Sequence, residues 1–301
     1  MALTRTAFAA FLKPDLYRVY IETGKERPPE FTQILNVDDM PWNPVTDRQV
    51  SGLGTLLPMP EGEDFPEDQP TVGNTKDYEA VPYGLMVQIT YPMWKDDQYG
   101  VMRELVAEEA RSSRNKLEVD AHAVFNSAFD TTVVGFTAGE SLCSTAHAGF
   151  AGSGPFSNRP SPDVGFSVLA VQGSLIRFEN MINERGLPRL MAPTLALVAP
   201  ENKFLCREVL GSSGKPFTAD NEQNSLLEDD LRWMVDHYFT LAKQWFILAS
   251  QGVHDLNFFF RDRPIFDVFD DPFSKNVLAT VYQRHTKGYG SWRGIDGSNG
   301  G

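Results

Sequence analysis

A chain of 301 residues is long enough for one elaborate domain or two modest ones with real apolar cores. Lys and Arg number 27 against 40 Asp and Glu, a formal net charge of -13, which excludes the basic footprint by which repressors and polymerase clamps seek nucleic acid. Enclosing DNA is not excluded, because a wall around DNA that has been forced inside gains nothing by gripping phosphates. The two cysteines, Cys143 and Cys206, provide neither a disulfide framework nor a C-x-x-C pair and are expected as reduced, packed thiols. The first dozen residues carry no secretion signal, and no stretch nears the roughly 20 apolar residues of a membrane span, so the expectation is a soluble chain made in a cytoplasm.

Residues 1–46 mix a short apolar stretch (Phe8, Phe11, Leu12, Leu16, Tyr17, Val19, Tyr20, Ile21) with five prolines. Pro14 predicts an interruption of any helix there, and Pro28, Pro29, Pro41 and Pro44 favour extended backbone, so the segment reads as an arm that must pack on something else. Residues 47–93 read as an extended hairpin, with strands over Ser51–Met59 and Leu85–Tyr91 and a tip rich in Glu61, Glu63, Asp64, Glu67, Asp68, Asp77 and Glu79. Such a long connection is either a surface loop or a projection that becomes ordered against a neighbour. On the second reading, deleting residues 61–79 should leave a folded subunit that cannot associate stably with its neighbours.

The clearest helix is predicted over Asp97–Phe129, where Met102, Val106, Ala110, Ser113, Leu117, Ala121, Val124 and Ala128 recur at spacings of three and four. At about 1.5 Å per residue it would run on the order of 45 Å, a structural spine. A loop region, 130–165, precedes a second helix over Ser167–Arg185, with Gly186 and Pro188 as its stop. A strand over Thr194–Ala199 and a helix over Glu201–Leu210 suggest a small α+β lobe. Strands are then predicted over Leu231–Tyr238, Gln244–Ala249, Leu256–Arg261 and Asn276–His285, ahead of a glycine-rich tail, 288–301, expected to fray.

Chemical motifs are sparse. Gly139-Glu140-Ser141-Leu142 opens like a nucleophile elbow, but Cys143 stands where the second glycine is needed. Gly211-Ser212-Ser213-Gly214-Lys215 has the wrong glycine spacing for a phosphate loop, and Pro216 replaces the hydroxyl residue. His122, His147, His237, His254 and His285 are scattered, and Cys143 with His147 supplies at most two metal ligands. Asp267, Asp270 and Asp271 lack the pattern of a calcium loop and read as a solvated turn. Phe258-Phe259-Phe260, Trp233, Trp245 and Trp292 fit buried sheet positions better than base stacking, since no basic groove accompanies them. The expectation is therefore no catalytic, cofactor-binding or metal site.

The order of elements, together with several local stretches, resembles the Hong Kong 97-like capsid proteins of tailed phages, most closely the Mu-like major head proteins. The stretches are Ser144-Thr145-Ala146-His147 with Ser157 and Asn158; Gly186-Leu187-Pro188 with Pro193, Leu195 and Pro200; Asn224, Leu226 and Leu227; Trp245-Phe246-Ile247-Leu248; Phe258-Phe259-Phe260-Arg261; and Gly288-Tyr289-Gly290-Ser291-Trp292-Arg293-Gly294. The resemblance implies an α+β fold: an N-terminal arm (1–46), an extended hairpin (47–93), a peripheral domain with a spine helix (94–189), an axial domain (190–254) and a returning strand with the C-terminus (255–301). It also implies a major capsid protein that self-assembles as hexamers and pentamers into an icosahedral or elongated shell around double-stranded DNA. Assembly would take place in the host bacterial cytoplasm, with the protein ending in the virion. A separate scaffolding protein, a portal and a decoration protein are the implied partners. The alternatives are an encapsulin-like nanocompartment shell, distinguished by enzyme cargo, and a hydrolase using Ser141 and His147.

Overall fold

The structure is a computed structural model that describes residues 5–62, 64–96, 100–133, 135–148, 155–214, 223–271, 274 and 276–301. Pro14 lies inside α1 (Arg5–Gly24), so the predicted interruption does not occur. A proline within a helix forfeits a backbone hydrogen bond, at a cost of about 3 kcal/mol. Tertiary contacts offset it: Leu16 is buried, Tyr20 stacks on Phe266 at 4.6 Å, Tyr17 meets the same ring edge-on at 5.1 Å, and the Tyr17 hydroxyl donates to Asp267 at 2.9 Å.

The strands run β1 (Asn36–Asp39), β2 (Val45–Val50), β3 (Val72–Tyr78) and β4 (Val81–Ile89), followed by the short helix α2 (Tyr91–Lys95), capped by Thr90. The hairpin strands therefore differ from the expected ones. Residues 51–59 form no strand, β2 pairs with β3, and β4 joins a four-stranded sheet. Gly52, Gly54 and Pro58 weaken strand formation after Val50, whereas Val45–Val50 alternates in burial as a half-covered strand should.

Next come the spine helix α3 (Val101–Asn126, 26 residues, roughly 39 Å by its rise), α4 (Val168–Glu179), β5 (Pro193–Val198) and α5 (Lys203–Gly211). The chain finishes with β6 (Arg232–Val235), β7 (Trp245–Ala249), β8 (Leu256–Asp270), β9 (Val277–Tyr289) and β10 (Ile295–Ser298). Among the described residues no helix is long and apolar enough to cross a membrane.

The chain divides into two compact units. The first holds residues 1–45, 78–121 and 258–287, and its sheet has the order β1-β8-β9-β4. β4 runs antiparallel to β9 from Val81 opposite His285 to Ile89 opposite Val277. Every second residue of β9, from Val277 to Val281, turns inward onto Ile89, Met102, Val106, Phe266 and Leu16, so the apolar stripe of α3 and the period-two pattern of the strands close one core.

The second unit holds residues 46–77, 122–257 and 288–301, with sheet order β10-β7-β5-β6. β5 is parallel to β6 and antiparallel to β7. Phe178, Val198, Cys206, Val209, Trp245 and Ile247 form its core, and the Trp245 indole donates to the Val164 carbonyl at 3.0 Å. Both cysteines are free and buried. The glycine-rich tail does not fray along β10, where Ile295, Asp296 and Ser298 are buried against β7. Its glycine serves close approach: a Cβ on Gly297 would lie 2.3 Å from the Phe246 ring.

Candidate assembly surface and the residues that anchor it

Beyond β2 and β3, Ser51 and Thr71 add a last rung, with the Ser51 N–H donating to the Thr71 carbonyl and the Thr71 N–H to the Ser51 hydroxyl, both at 2.9 Å. From there residues 52–70 carry Leu53, Leu56, Leu57, Met59 and Phe65 into solvent, Leu56 at 96% and Phe65 at 86% of full exposure. Single exposed apolar residues are ordinary, but five on one projecting segment form the kind of patch that marks an interaction surface. Each side chain would gain about 1.5–3 kcal/mol on full burial. Glu61, Asp64, Glu67 and Asp68 are exposed on the same segment, so acidic and apolar side chains share it.

In the second unit, the loop from Asp130 to Pro162 closes on the C-terminal motif through Asn158. Its amide donates to the Leu142 carbonyl at 2.9 Å and the Ile295 carbonyl at 3.0 Å. Its oxygen must therefore accept, from the Ser144 N–H at 2.9 Å and from His147 Nε2 at 2.8 Å. That assignment places a proton on His147 Nε2. The ring's Nδ1 meets Glu140 at 3.1 Å, and its face stacks on Trp292 at 4.3 Å. Burial pulls the His147 pKa down, against the contrary effect of Glu140 and Asn158. Arg293 lies over Trp292 and donates to the Ile182 carbonyl at 2.8 Å and to Glu184 at 2.9 Å.

This geometry decides against a hydrolase. The Ser141 hydroxyl donates to the Cys143 carbonyl at 2.9 Å, and both nitrogens of His147 are engaged elsewhere, so no base addresses a nucleophile. The neighbouring cleft, lined by Glu140, Ser141, His147, Tyr289 and Trp292, is a gap in this network. Burial raises the Cys143 thiol well above its ordinary range, which disfavours the thiolate a metal would need. Other candidates also have structural places. His122 faces Asp236 at 3.2 Å, His254 Nδ1 accepts the Leu256 N–H at 3.3 Å, and Asp271 accepts from Ser274 at 2.5 Å. The stretch after Gly214, with Lys215 and Pro216, lies outside the described residues.

In the first unit, α3 is held to β9 by charge. Asp120 accepts from His285 at 2.9 Å, Lys116 at 3.1 Å and Lys287 at 3.2 Å, and Lys116 also lies over the Tyr83 ring at 4.4 Å. Burial alone would raise the Asp120 pKa. The hydrogen bond from His285 and the charges of Lys287 and Lys116 outweigh it and hold the carboxyl well below the usual range. Asp120→Asn should destabilise the subunit by about 2 kcal/mol at pH 7, since three donors lose their anionic partner. Because the Asp120 pKa is depressed, its contribution is present above the ordinary carboxyl pKa and fades as pH falls through the folded value, so the difference between the two proteins should shrink in acid. Urea unfolding midpoints at pH 7 and pH 3 check both statements.

A family model described as phage capsid protein matches residues 73–295. A chain in the procapsid of bacteriophage JBD30 is similar in structure, with 14% identity, a TM-score of 0.53, and coverage of 97% of this chain and 75% of that one. A chain of Mycobacterium phage Adephagia has 10% identity and a TM-score of 0.55, with 90% of each chain covered. A chain from the capsid of an empty GTA particle has 11% identity and a TM-score of 0.52, covering 90% of this chain and 89% of that one. No curated protein matches the sequence. The sequence match and the Hong Kong 97-like fold agree, and the network around Asn158 and His147 ties segments of one chain together: the protein belongs to the phage capsid protein family and is a structural shell subunit, not an enzyme.

Proposed function

We propose that this chain is the major head subunit of a tailed bacteriophage, that its copies associate as hexamers and pentamers around double-stranded DNA, and that residues 51–71 lie over a neighbouring copy. The observation that carries the reading is the apolar patch on a segment with so little packing of its own: Leu56 and Phe65 gain cover only from another molecule. On this reading residues 1–46 are the arm, 47–93 the extended hairpin, 94–189 and 255–301 the peripheral domain, and 190–254 the axial domain. Kinship with the Mu-like heads rests on the order of the shared stretches from Ser144 to Gly294. The charge of -13 suits an inner wall that DNA must slide past. A scaffolding protein, a portal and a decoration protein complete the particle, which forms in the bacterial cytoplasm.

Electron microscopy of the protein expressed alone and with its candidate scaffold tests this. Closed shells, with correct size only in the scaffold's presence, are expected. A monodisperse monomer under both conditions would overturn the reading, and particles filled with an enzyme would favour the nanocompartment.

A further inference from the structure

Arg185 binds the root of the hairpin from outside it. Its Nη1 donates to Asp68 Oδ1 at 2.9 Å and its Nη2 to the Gln69 carbonyl at 2.7 Å. The other oxygen of Asp68 accepts the Gly54 N–H at 2.7 Å. One carboxylate therefore ties the outgoing arm at Gly54, the returning arm at Asp68 and the Arg185 loop into a single knot. The Gly54 amide and the Arg185 guanidinium together pull the Asp68 pKa down, so the carboxylate stays charged at neutral pH.

The loop that presents Arg185 is built to stay in place. Asn183 Oδ1 accepts the N–H groups of Arg185 and Leu187, both at 2.9 Å, and the Asn183 N–H donates to the Leu187 carbonyl at 2.8 Å. Gly186 takes φ of 80°, a conformation costly for residues with a side chain. Arg293 braces the same loop through Ile182 and Glu184. A rigid loop thus grips a segment that, between its last rung at Ser51 and Thr71 and its tip, has no strand pairing.

We propose that Arg185 is a clasp that aims the hairpin: by holding Gly54, Asp68 and Gln69 to its own subunit, it sets the direction from which the apolar tip meets a second copy of this chain. The inference rests on the assembly reading above. Two parallel donors on one planar group are needed, and lysine cannot supply them. The clasp is partly exposed, Asp68 the more so, and an exposed ion pair orients more than it stabilises. It therefore restricts the hairpin in the free subunit yet opens when a neighbour offers better contacts.

The test separates clasp from assembly. Limited chymotrypsin digestion of the unassembled subunit reads hairpin freedom at Leu56 and Phe65. Arg185→Ala, Arg185→Lys and Asp68→Asn should each speed cleavage roughly fivefold, with the thermal unfolding temperature unchanged. Arg185→Ala combined with Asp68→Asn should cleave no faster than either alone, because both remove one knot. Cleavage at the native rate in all three variants, or additive acceleration in the double variant, would overturn the clasp. In assembly reactions the variants should give fewer closed shells and more irregular ones, and native shells from a subunit with a freed hairpin would overturn the aiming role. If the unaltered protein forms no shells while the digestion behaves as expected, the assembly reading fails and the clasp stands.

Discussion

A subunit in which residues 55–66 are replaced by a three-residue Gly-Ser linker folds normally and fails to close into shells. The replacement removes Leu56, Leu57, Met59 and Phe65 but spares Gly54 and Asp68, whose 2.7 Å hydrogen bond shows that the two ends lie close enough for a short bridge. It also spares β2, β3 and the rung at Ser51 and Thr71. Leu56, Leu57, Met59 and Phe65 are all exposed, and none of the other described residues in the stretch is buried, so circular dichroism and the unfolding temperature should match the native subunit. Full burial of these four side chains against a neighbour would contribute roughly 6–12 kcal/mol per contact, an upper bound because Leu57 and Met59 are already partly covered in the free hairpin. Repeated at every contact of a shell, its loss should reduce closed particles more than tenfold by sedimentation or electron microscopy. Native yields would show the apolar tip to be dispensable.

The wider deletion suggested by the sequence, residues 61–79, would not be the same experiment. It removes β3 and Tyr78, a fully buried ring packed edge-on against Phe259 at 5.0 Å in the first unit. A failure to assemble could then mean only a failure to fold. The acidic and proline-rich composition falls on a segment that is largely exposed, but a short exposed strand such as β3, with Gly73, Asn74, Thr75 and Lys76, has no apolar alternation to reveal it.

Legibility elsewhere follows the same physics. The spine helix was readable because its burial repeats with helical period, and β5, β7 and the inner residues of β9 because continuous or alternating apolar runs leave few other solutions. α1 was misread because Pro14 is a local signal, while the contacts of Tyr17 and Tyr20 with Phe266 that overrule it lie some 250 residues away in sequence. The tail was misread because glycines that permit close packing look like glycines that loosen a chain. The anchoring network was half visible: Ser144–His147, Asn158 and Gly288–Gly294 stood out as stretches, but only the fold brings His147 onto Trp292 and Asn158 onto Ile295. The pairing of Arg185 with Asp68 left no trace, since the one reads as a helix end and the other as one more acid of the hairpin.

Glu109 was missed although the helical period places it beside Val106 and Ser113, and it carries the last expectation: Glu109→Gln stabilises the subunit at alkaline pH. The residue is buried at the seam of α1, α3 and β9, and neither carboxyl oxygen has a hydrogen-bond partner among the described residues. Tyr20 faces it from α1, and the neighbouring Val281 amide on β9 is the group that favours its charged form. Burial outweighs that amide and raises the carboxyl pKa to about 7. An acid whose pKa is raised on folding stabilises the protein below the ordinary value of 4.5 and loses that contribution as pH rises through 7. At roughly 1.4 kcal/mol per pH unit, the native subunit should give up on the order of 3 kcal/mol from this group between pH 4 and pH 8. Glutamine mimics the protonated acid at every pH and gives up nothing. Because His147 and Asp120 titrate identically in both proteins, the difference in unfolding free energy between variant and native isolates Glu109: near zero at pH 4 and favouring the variant above pH 7. A difference that stays flat across this range, or that favours the native protein at pH 8, would mean that water or a rearranged α1 solvates the carboxylate.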